Sequence, residues 1–164
     1  MRGLRRDPLE EPEALIERVY AYVAYRIGQG PDAEDVTGET FARAVRYRDS
    51  YDASKGAPIT WLIGIAQRCV SESYGRPRVA DQPPDRAAPE SMEADALERL
   101  TVRTAVAQLG DRDRELIALR YGADLSTRQI AERMETNTNA IDVALHRARA
   151  RLRELLGDDD AVAS

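Results

Sequence analysis

The chain has 164 residues, of which 43% are hydrophobic, 32% charged and only 5% aromatic. That is room for one ordinary domain or two small ones with aliphatic cores, and the composition is globular rather than disordered. The formal net charge is -5 and Cys69 is the only cysteine, which excludes an intramolecular disulfide and a uniformly basic nucleic-acid-binding chain. No apolar run approaches the roughly 20 residues a membrane span needs. The basic start Met1-Arg-Gly-Leu-Arg-Arg is followed by no hydrophobic signal core. The expectation is a soluble, cytoplasmic protein.

Ala, Leu, Arg and Glu are abundant, which favours helix, and no segment alternates as a strand would. The predicted fold class is all-α, with two small helical domains joined by a flexible linker. The first helix is expected over about 11–27, with Leu15, Ile16, Val19, Tyr20, Val23 and Ile27 on one stripe. Gly28 and Gly30-Pro31 end it. The second opens at Asp32 and ends near Arg48, with Val36, Phe41, Ala44 and Val45 as its buried face. Its acids come early and its bases late, which complements the helix dipole. The third follows Gly56, has Pro58 in its first turn and runs to about Tyr74, burying Ile59, Leu62, Ile63, Ala66, Cys69 and Val70.

Residues 76–90 hold four of the eight prolines. Helix cannot run through them, so they read as a linker between modules at about 8–75 and 91–157. In the second module a helix is expected from Ser91 to Leu109, stopped by Gly110. Asp111 would cap a helix to about Tyr121, and Ser126-Thr-Arg-Gln129 is a capping box opening a third. Asn137 or Thr138 opens the last helix, expected to end near Leu156. Residues 158–164, beginning Asp158-Asp-Asp160, read as an acidic disordered tail.

Three stretches can carry function. Leu125 to Arg153 has the layout of a helix-turn-helix, whose second helix can lie in a DNA major groove. Asn137, Thr138 and Asn139 stand at the front of that helix, the part that reaches bases. Arg128, His146, Arg147 and Arg149 can reach bases or phosphates. An ordinary helical hairpin with a solvated arginine face fits the same pattern. The acids Asp32, Glu34, Asp35 and Glu39 can serve the helix dipole, hold a metal or act in acid–base catalysis, or dock a protein partner; no histidine or cysteine lies near them. The loop from Tyr47 to Trp61 has aromatics at both ends and the lone lysine, Lys55. It can stack an unpaired base, or its aromatics can be core or hinge residues. His146, the only histidine, is far in sequence from Cys69, so a zinc site is not expected. No nucleophile motif appears. The chain is expected to be no enzyme, with no catalytic residues, no metal, no cofactor and no small-molecule substrate.

Together these features resemble the extracytoplasmic-function (ECF) group of bacterial RNA polymerase sigma factors. Asp32 through Ala44 looks like the region 2 segment that docks on the polymerase clamp. Tyr51-Asp-Ala-Ser-Lys-Gly56 and Trp61-Leu-Ile-Gly-Ile-Ala-Gln-Arg68 are similar to the melting loop and promoter-reading helix. Ala107 through Tyr121 and Leu125 through Leu156 look like region 4. The resemblance implies that Asp32, Glu34, Asp35, Glu39 and Phe41 bind polymerase. It implies that Tyr51, Lys55, Trp61, Gln67 and Arg68 meet the minus-ten element. Arg128, Asn137, Thr138, Asn139, Val143, His146, Arg147 and Arg149 would meet the minus-thirty-five element. The implied partners are core RNA polymerase, promoter DNA and an anti-sigma protein; the function is promoter recognition and melting in transcription initiation. Two alternatives remain at this point: a stand-alone helix-turn-helix regulator, and a protein-binding helical adaptor.

The chain also departs from the family pattern. Glu135 stands where such turns often carry glycine, Gly38 where a polar residue is usual, and Asp142 and Ala144 where basic or polar DNA-facing residues are common. Residues 91–157 carry eleven acids and eleven bases, so tight DNA binding is expected to need polymerase.

Overall fold

The computed structural model describes residues 7–74 and 93–162. The expected linker, 76–90, lies outside the described residues. Among the described residues seven α-helices follow in order: α1 (Pro12–Ile27), α2 (Pro31–Arg46), α3 (Pro58–Ser73), α4 (Glu93–Gln108), α5 (Asp111–Ile117), α6 (Thr127–Arg133) and α7 (Thr138–Val162). No strand occurs among the described residues.

Local chemistry sets most boundaries. A proline stands in the first turn of α1, α2 and α3, where its missing N–H would be unpaired anyway. Gly28 (φ 89°) and Gly30 (φ 127°) make the bend between α1 and α2 in backbone that side-chain-bearing residues avoid. At α5, Gly110 rather than Asp111 is the N-cap, and Asp111 is already helical. Past Ile117 the helix widens into a π-helical turn, Ala118–Gly122. The Ala123 N–H reaches the Ala118 carbonyl at 2.9 Å, and the Leu125 N–H reaches that of Leu119 at 3.0 Å. The last helix continues past Gly157 to Val162, beyond the expected stop near Leu156, so 158–162 extend α7 rather than forming a disordered tail; 163–164 lie outside the described residues.

α1, α2 and α3 pack on one another. α3 buries the six residues its spacing predicts. In α2 the buried face is Ala33, Val36, Thr37, Thr40 and Ala44. Thr37 and Thr40 satisfy their hydroxyls by donating to the Ala33 and Val36 carbonyls at 2.7 and 2.8 Å. Val45 points outward, 57% exposed, against expectation. In α1 the predicted stripe holds at Val19 and Val23, but Ile16 is 44% exposed and Tyr22 is fully buried. The reason is that α1 is covered on two sides. It packs on α2 and α3, and also on α4, α5 and the π-helical turn.

The two modules therefore share a core. Val19, Tyr22, Val23, Leu62, Ile63 and Ala66 from the first lie in one apolar cluster with Leu116, Leu119, Leu125, Ile130, Ile141 and Leu145 from the second. A smaller cluster of Val106, Leu109, Ile117 and Ala148 ties α4 and α5 to α7.

Candidate nucleic-acid interface

The helix-turn-helix is built by two backbone devices. Ser126 Oγ accepts from the Gln129 N–H at 3.1 Å while Gln129 Oε1 accepts from the Ser126 N–H at 2.9 Å, completing the predicted capping box. α6 then ends in a Schellman motif. The Thr136 N–H bonds the Ala131 carbonyl at 2.9 Å, and the Glu135 N–H bonds that of Glu132 at 3.4 Å. The left-handed position of this motif, normally glycine, is Glu135 at φ 54°. The turn keeps its usual geometry and stores the strain of a side chain there. Asn137, not Thr138, caps α7: its Oδ1 accepts from the Ala140 N–H at 2.8 Å.

α7 buries Ile141, Leu145 and Ala148, and its opposite face is open. Asn139, Val143 and His146 point directly away from that stripe, at 100° per residue, and are exposed together with Thr138, Asp142 and Arg147. The front of the helix is thus presented outward. Arg128 is also exposed, 84% at its side chain, on α6 and beside Glu132. Arg149 differs from the expectation. It lies on the flank of the buried stripe, and its guanidinium donates to the Tyr121 hydroxyl at 3.1 Å. Arg151, further along, pairs with Asp113 at 2.6 Å.

The loop between α2 and α3 folds into two 3-10 turns, Arg48–Ser50 and Ala53–Lys55. Asp52 caps the second, accepting from the Ser54 N–H at 2.9 Å and its hydroxyl at 2.6 Å; these bonds hold its carboxyl below the usual range. Tyr51 donates to the Gly56 carbonyl at 2.9 Å and meets Trp61 edge-to-face, centroids 5.5 Å apart. Ser50, Tyr51, Lys55, Thr60 and Trp61 line a pocket of about 150 Å³. Its aromatic wall and ammonium rim suit a stacked, anion-bearing nucleotide. Arg68 lies two turns beyond Trp61 on the same side of α3 and is exposed. Gln67 is not part of this group. It lies on the Thr60 side of the helix, and its amide is bonded to Glu115 and Arg133 of the other module.

On α2, Glu34, Asp35 and Glu39 are exposed and Asp32 is half-buried. Glu39 is held by Arg43 at 2.9 Å, and Arg43 also pairs with Glu72 of α3. Phe41 faces inward and packs on the core. The freely presented acids are therefore Glu34 and Asp35.

The residues that sequence reasoning missed lie between the modules: Arg18, Tyr22, Arg26, Glu115, Gly122 and Arg133. Glu115, with a side chain only 13% exposed, accepts from the Tyr22 hydroxyl at 2.9 Å at both carboxylate oxygens, and Arg26 Nε lies 3.1 Å away. Burial raises both the Glu115 carboxyl and the Tyr22 hydroxyl above their ordinary values. Gly122 alone carried a sequence signal, as a helix stop, but that signal says nothing of its partner.

Two family models match this chain, sigma-70 region 2 over residues 13–76 and sigma-70 region 4 over residues 99–152. Among curated proteins, the ECF RNA polymerase sigma factor SigD of Mycobacterium tuberculosis is 32% identical over 173 aligned positions, covering 93% of this chain and 77% of that protein. The ECF RNA polymerase sigma factor BldN of Streptomyces coelicolor is 30% identical over 152 positions. That alignment takes in 87% of this chain and 58% of the relative's length. Among solved structures, CnrH in complex with the cytosolic domain of CnrY superposes with a TM-score of 0.62 at 25% identity, covering 89% of this chain and 82% of that one. The sigma factor RpoE in complex with the anti-sigma factor NepR, from Bartonella quintana, shares the fold with a TM-score of 0.60 at 22% identity.

These matches, with described residues that hold helices and no strand and with a helix-turn-helix in α6 and α7, define a transcription factor of the sigma-70 type. The chain belongs to the ECF group of RNA polymerase sigma factors. No described helix is long and apolar enough to cross a membrane.

Proposed function

We propose that the chain binds core RNA polymerase in the cytoplasm, directs it to promoters of two elements, and helps open the duplex, while polymerase alone supplies bond-making chemistry. The exposed Glu34 and Asp35 dock on a basic surface of polymerase. The front of α7, with Asn139, Val143, His146 and Arg147, reads the upstream element, where side chains at the helix N-terminus meet base edges. The pocket between Tyr51, Lys55 and Trp61 takes a nucleotide flipped from the downstream element; unstacking costs a few kcal/mol, which pocket contacts offset.

The observation that carries this reading is the presence in one chain of both an aromatic-walled pocket of about 150 Å³ and an outward-facing recognition helix. Balanced charge in the second module speaks against a stand-alone regulator, because phosphate contacts dominate unassisted affinity. Run-off transcription with core polymerase and a genomic promoter library tests it. Discrete transcripts that require the chain are expected. Strong, specific duplex binding by the chain alone at physiological salt, with no transcript, would establish the stand-alone regulator instead. The sigma factor RpoE, solved in complex with the anti-sigma factor NepR, also motivates an anti-sigma protein as a partner.

A further inference from the structure

A second cavity shares no residue with the pocket at Trp61. It measures about 670 Å³, within the roughly 300–1,000 Å³ of small-molecule sites. Tyr20 and Tyr25 of α1 and Tyr121 of the π-helical turn stand in its wall, with Glu98 and Arg103 of α4. Backbone contacts fix that wall. Gly122 lies so close to α1 that a Cβ there would sit 2.8 Å from Tyr22 Cα and N. Arg18 donates to the Ala123 and Asp124 carbonyls at 2.8 and 3.1 Å. Together they hold Tyr121 in one wall with the α1 tyrosines. The Tyr121 hydroxyl also accepts from Arg149 at 3.1 Å, so the ring is tethered at its far end.

A smaller cavity of about 330 Å³ adjoins the first, and the two share Ala24, Tyr25 and Arg103. Its described lining holds three guanidiniums, those of Arg26, Arg103 and Arg114, and no carboxylate. Arg103 is half-buried and makes no hydrogen bond or ion pair among the described residues. Arg114 uses one nitrogen on the Ala107 and Leu109 carbonyls, at 2.5 and 3.1 Å, while its Nε is buried without a partner. A buried donor left so is costly, and an anion would satisfy it. Arg26 is paired with Glu115, and the carbonyl end of α1 adds about half a negative charge. The three cations still leave an excess of about one and a half positive charges. That balances one phosphate group, which carries about 1.5 to 2 negative charges.

We infer that the adjoining cavities form a nucleotide site: the base lies among Tyr20, Tyr25 and Tyr121, and the phosphate is held by Arg103 and Arg114. Neither cavity alone selects that ligand. The tyrosines supply faces on which a base stacks. The guanidiniums supply planar forks that bind phosphate oxygens in pairs. Glu98 stands on the tyrosine side only. There it repels phosphate and accepts from a base amine or a ribose hydroxyl, which sets the direction of the ligand. This site goes beyond the sigma-factor reading and stands apart from it, since it needs neither polymerase nor promoter.

The test uses the full chain, alone in solution. Two-dimensional amide NMR follows titration with AMP and with GMP; adenosine, guanosine and inorganic phosphate serve as the separate halves. A nucleotide is expected to shift the amides of Tyr25 and Arg103. It should bind about tenfold or more tightly than its nucleoside or phosphate, and raise the melting temperature as a ligand of the folded chain does. Arg103→Ala should weaken binding about ten- to hundredfold, and Tyr121→Leu, which keeps apolar bulk but removes the ring, several-fold. No shift with either nucleotide at millimolar concentration overturns the inference, and so do shifts confined to residues 51–61. Inorganic phosphate binding as tightly as the nucleotide overturns it too, because the tyrosines then hold no base. Should Arg103→Ala lose its helical circular dichroism, Tyr121→Leu decides alone: undiminished affinity overturns the inference. A chain that binds nucleotide here yet supports no run-off transcript keeps this site and loses the sigma-factor reading.

Discussion

The Tyr22 hydroxyl donates to the Glu115 carboxylate across the junction of the two modules, 2.9 Å from each oxygen. The two residues are 93 positions apart, and the tyrosine is wholly buried. A carboxylate withdrawn from water needs such partners, because an unpaired one costs several kcal/mol. Tyr22→Phe keeps the ring and removes the donor. We expect a loss of about 1.5–3 kcal/mol, the range for a hydrogen bond to a charged group. For a chain of this size that is a fall in melting temperature of about 3–12 °C, read by scanning calorimetry. An unchanged melting temperature would show that the bond does not form in solution.

The same site gives a pH dependence of known sign. Burial holds the Glu115 carboxyl above its ordinary 4.5, against the opposing Tyr22, Arg26 and Arg133. The folded chain then binds this proton more tightly than the unfolded one. The associated stability is complete below about pH 4.5 and is lost as pH rises through the folded value. Glu115→Gln, a mimic of the protonated form, lacks this loss. The stability of Glu115→Gln relative to wild type should therefore fall as pH drops through the folded value toward 4.5, measured by thermal melts of both. A pH-independent difference would contradict the assignment.

Glu135 occupies a left-handed backbone position with φ 54°, which costs a side-chain-bearing residue about 1 kcal/mol relative to glycine. Glu135→Gly should raise the melting temperature by about 2–4 °C. Glu135→Val, β-branched, should lower it. The reverse order would mean that the Glu135 side chain makes a compensating contact in solution.

On α2 the freely presented acids and the one paired with Arg43 should behave differently. Asp35→Ala is expected to weaken the complex with core polymerase several-fold, and Glu39→Ala to weaken it less, in a titration at low salt, where surface charges are least screened. Equal wild-type affinity in both would remove the docking face from α2.

Trp61 forms the edge-to-face wall beside Tyr51. Stacking of one base on an aromatic is worth about 1–3 kcal/mol, so Trp61→Ala should slow promoter opening about five- to 150-fold. Permanganate footprinting of the melted strand would show it. Normal opening would place the flipped base elsewhere.

The sequence by itself determined the elements. Proline at the first turns of α1, α2 and α3, Gly28 at the end of α1, the Ser126–Gln129 capping box and the Asn137-Thr138 start of α7 are all local signals. Each acts within a turn of its own position, so each is readable from neighbours alone. The outward face of α7 and the buried face of α3 follow from helical periodicity for the same reason. Some misreadings, such as the Asp111 cap and the stop of α7 near Leu156, are local; those that bear on the site fall where one element meets two partners. Tyr22 looked like an off-stripe residue because periodicity describes a helix buried on one side, and α1 is buried on two. Gln67 looked free to meet DNA because nothing in its neighbourhood announces Arg133, 66 positions away. Only the tertiary structure decided that the modules close on each other. That choice depends on shape complementarity between distant surfaces, a glycine lying flat on another helix's backbone and a carboxylate finding its hydroxyl, and no local pattern of residues encodes which surfaces will meet.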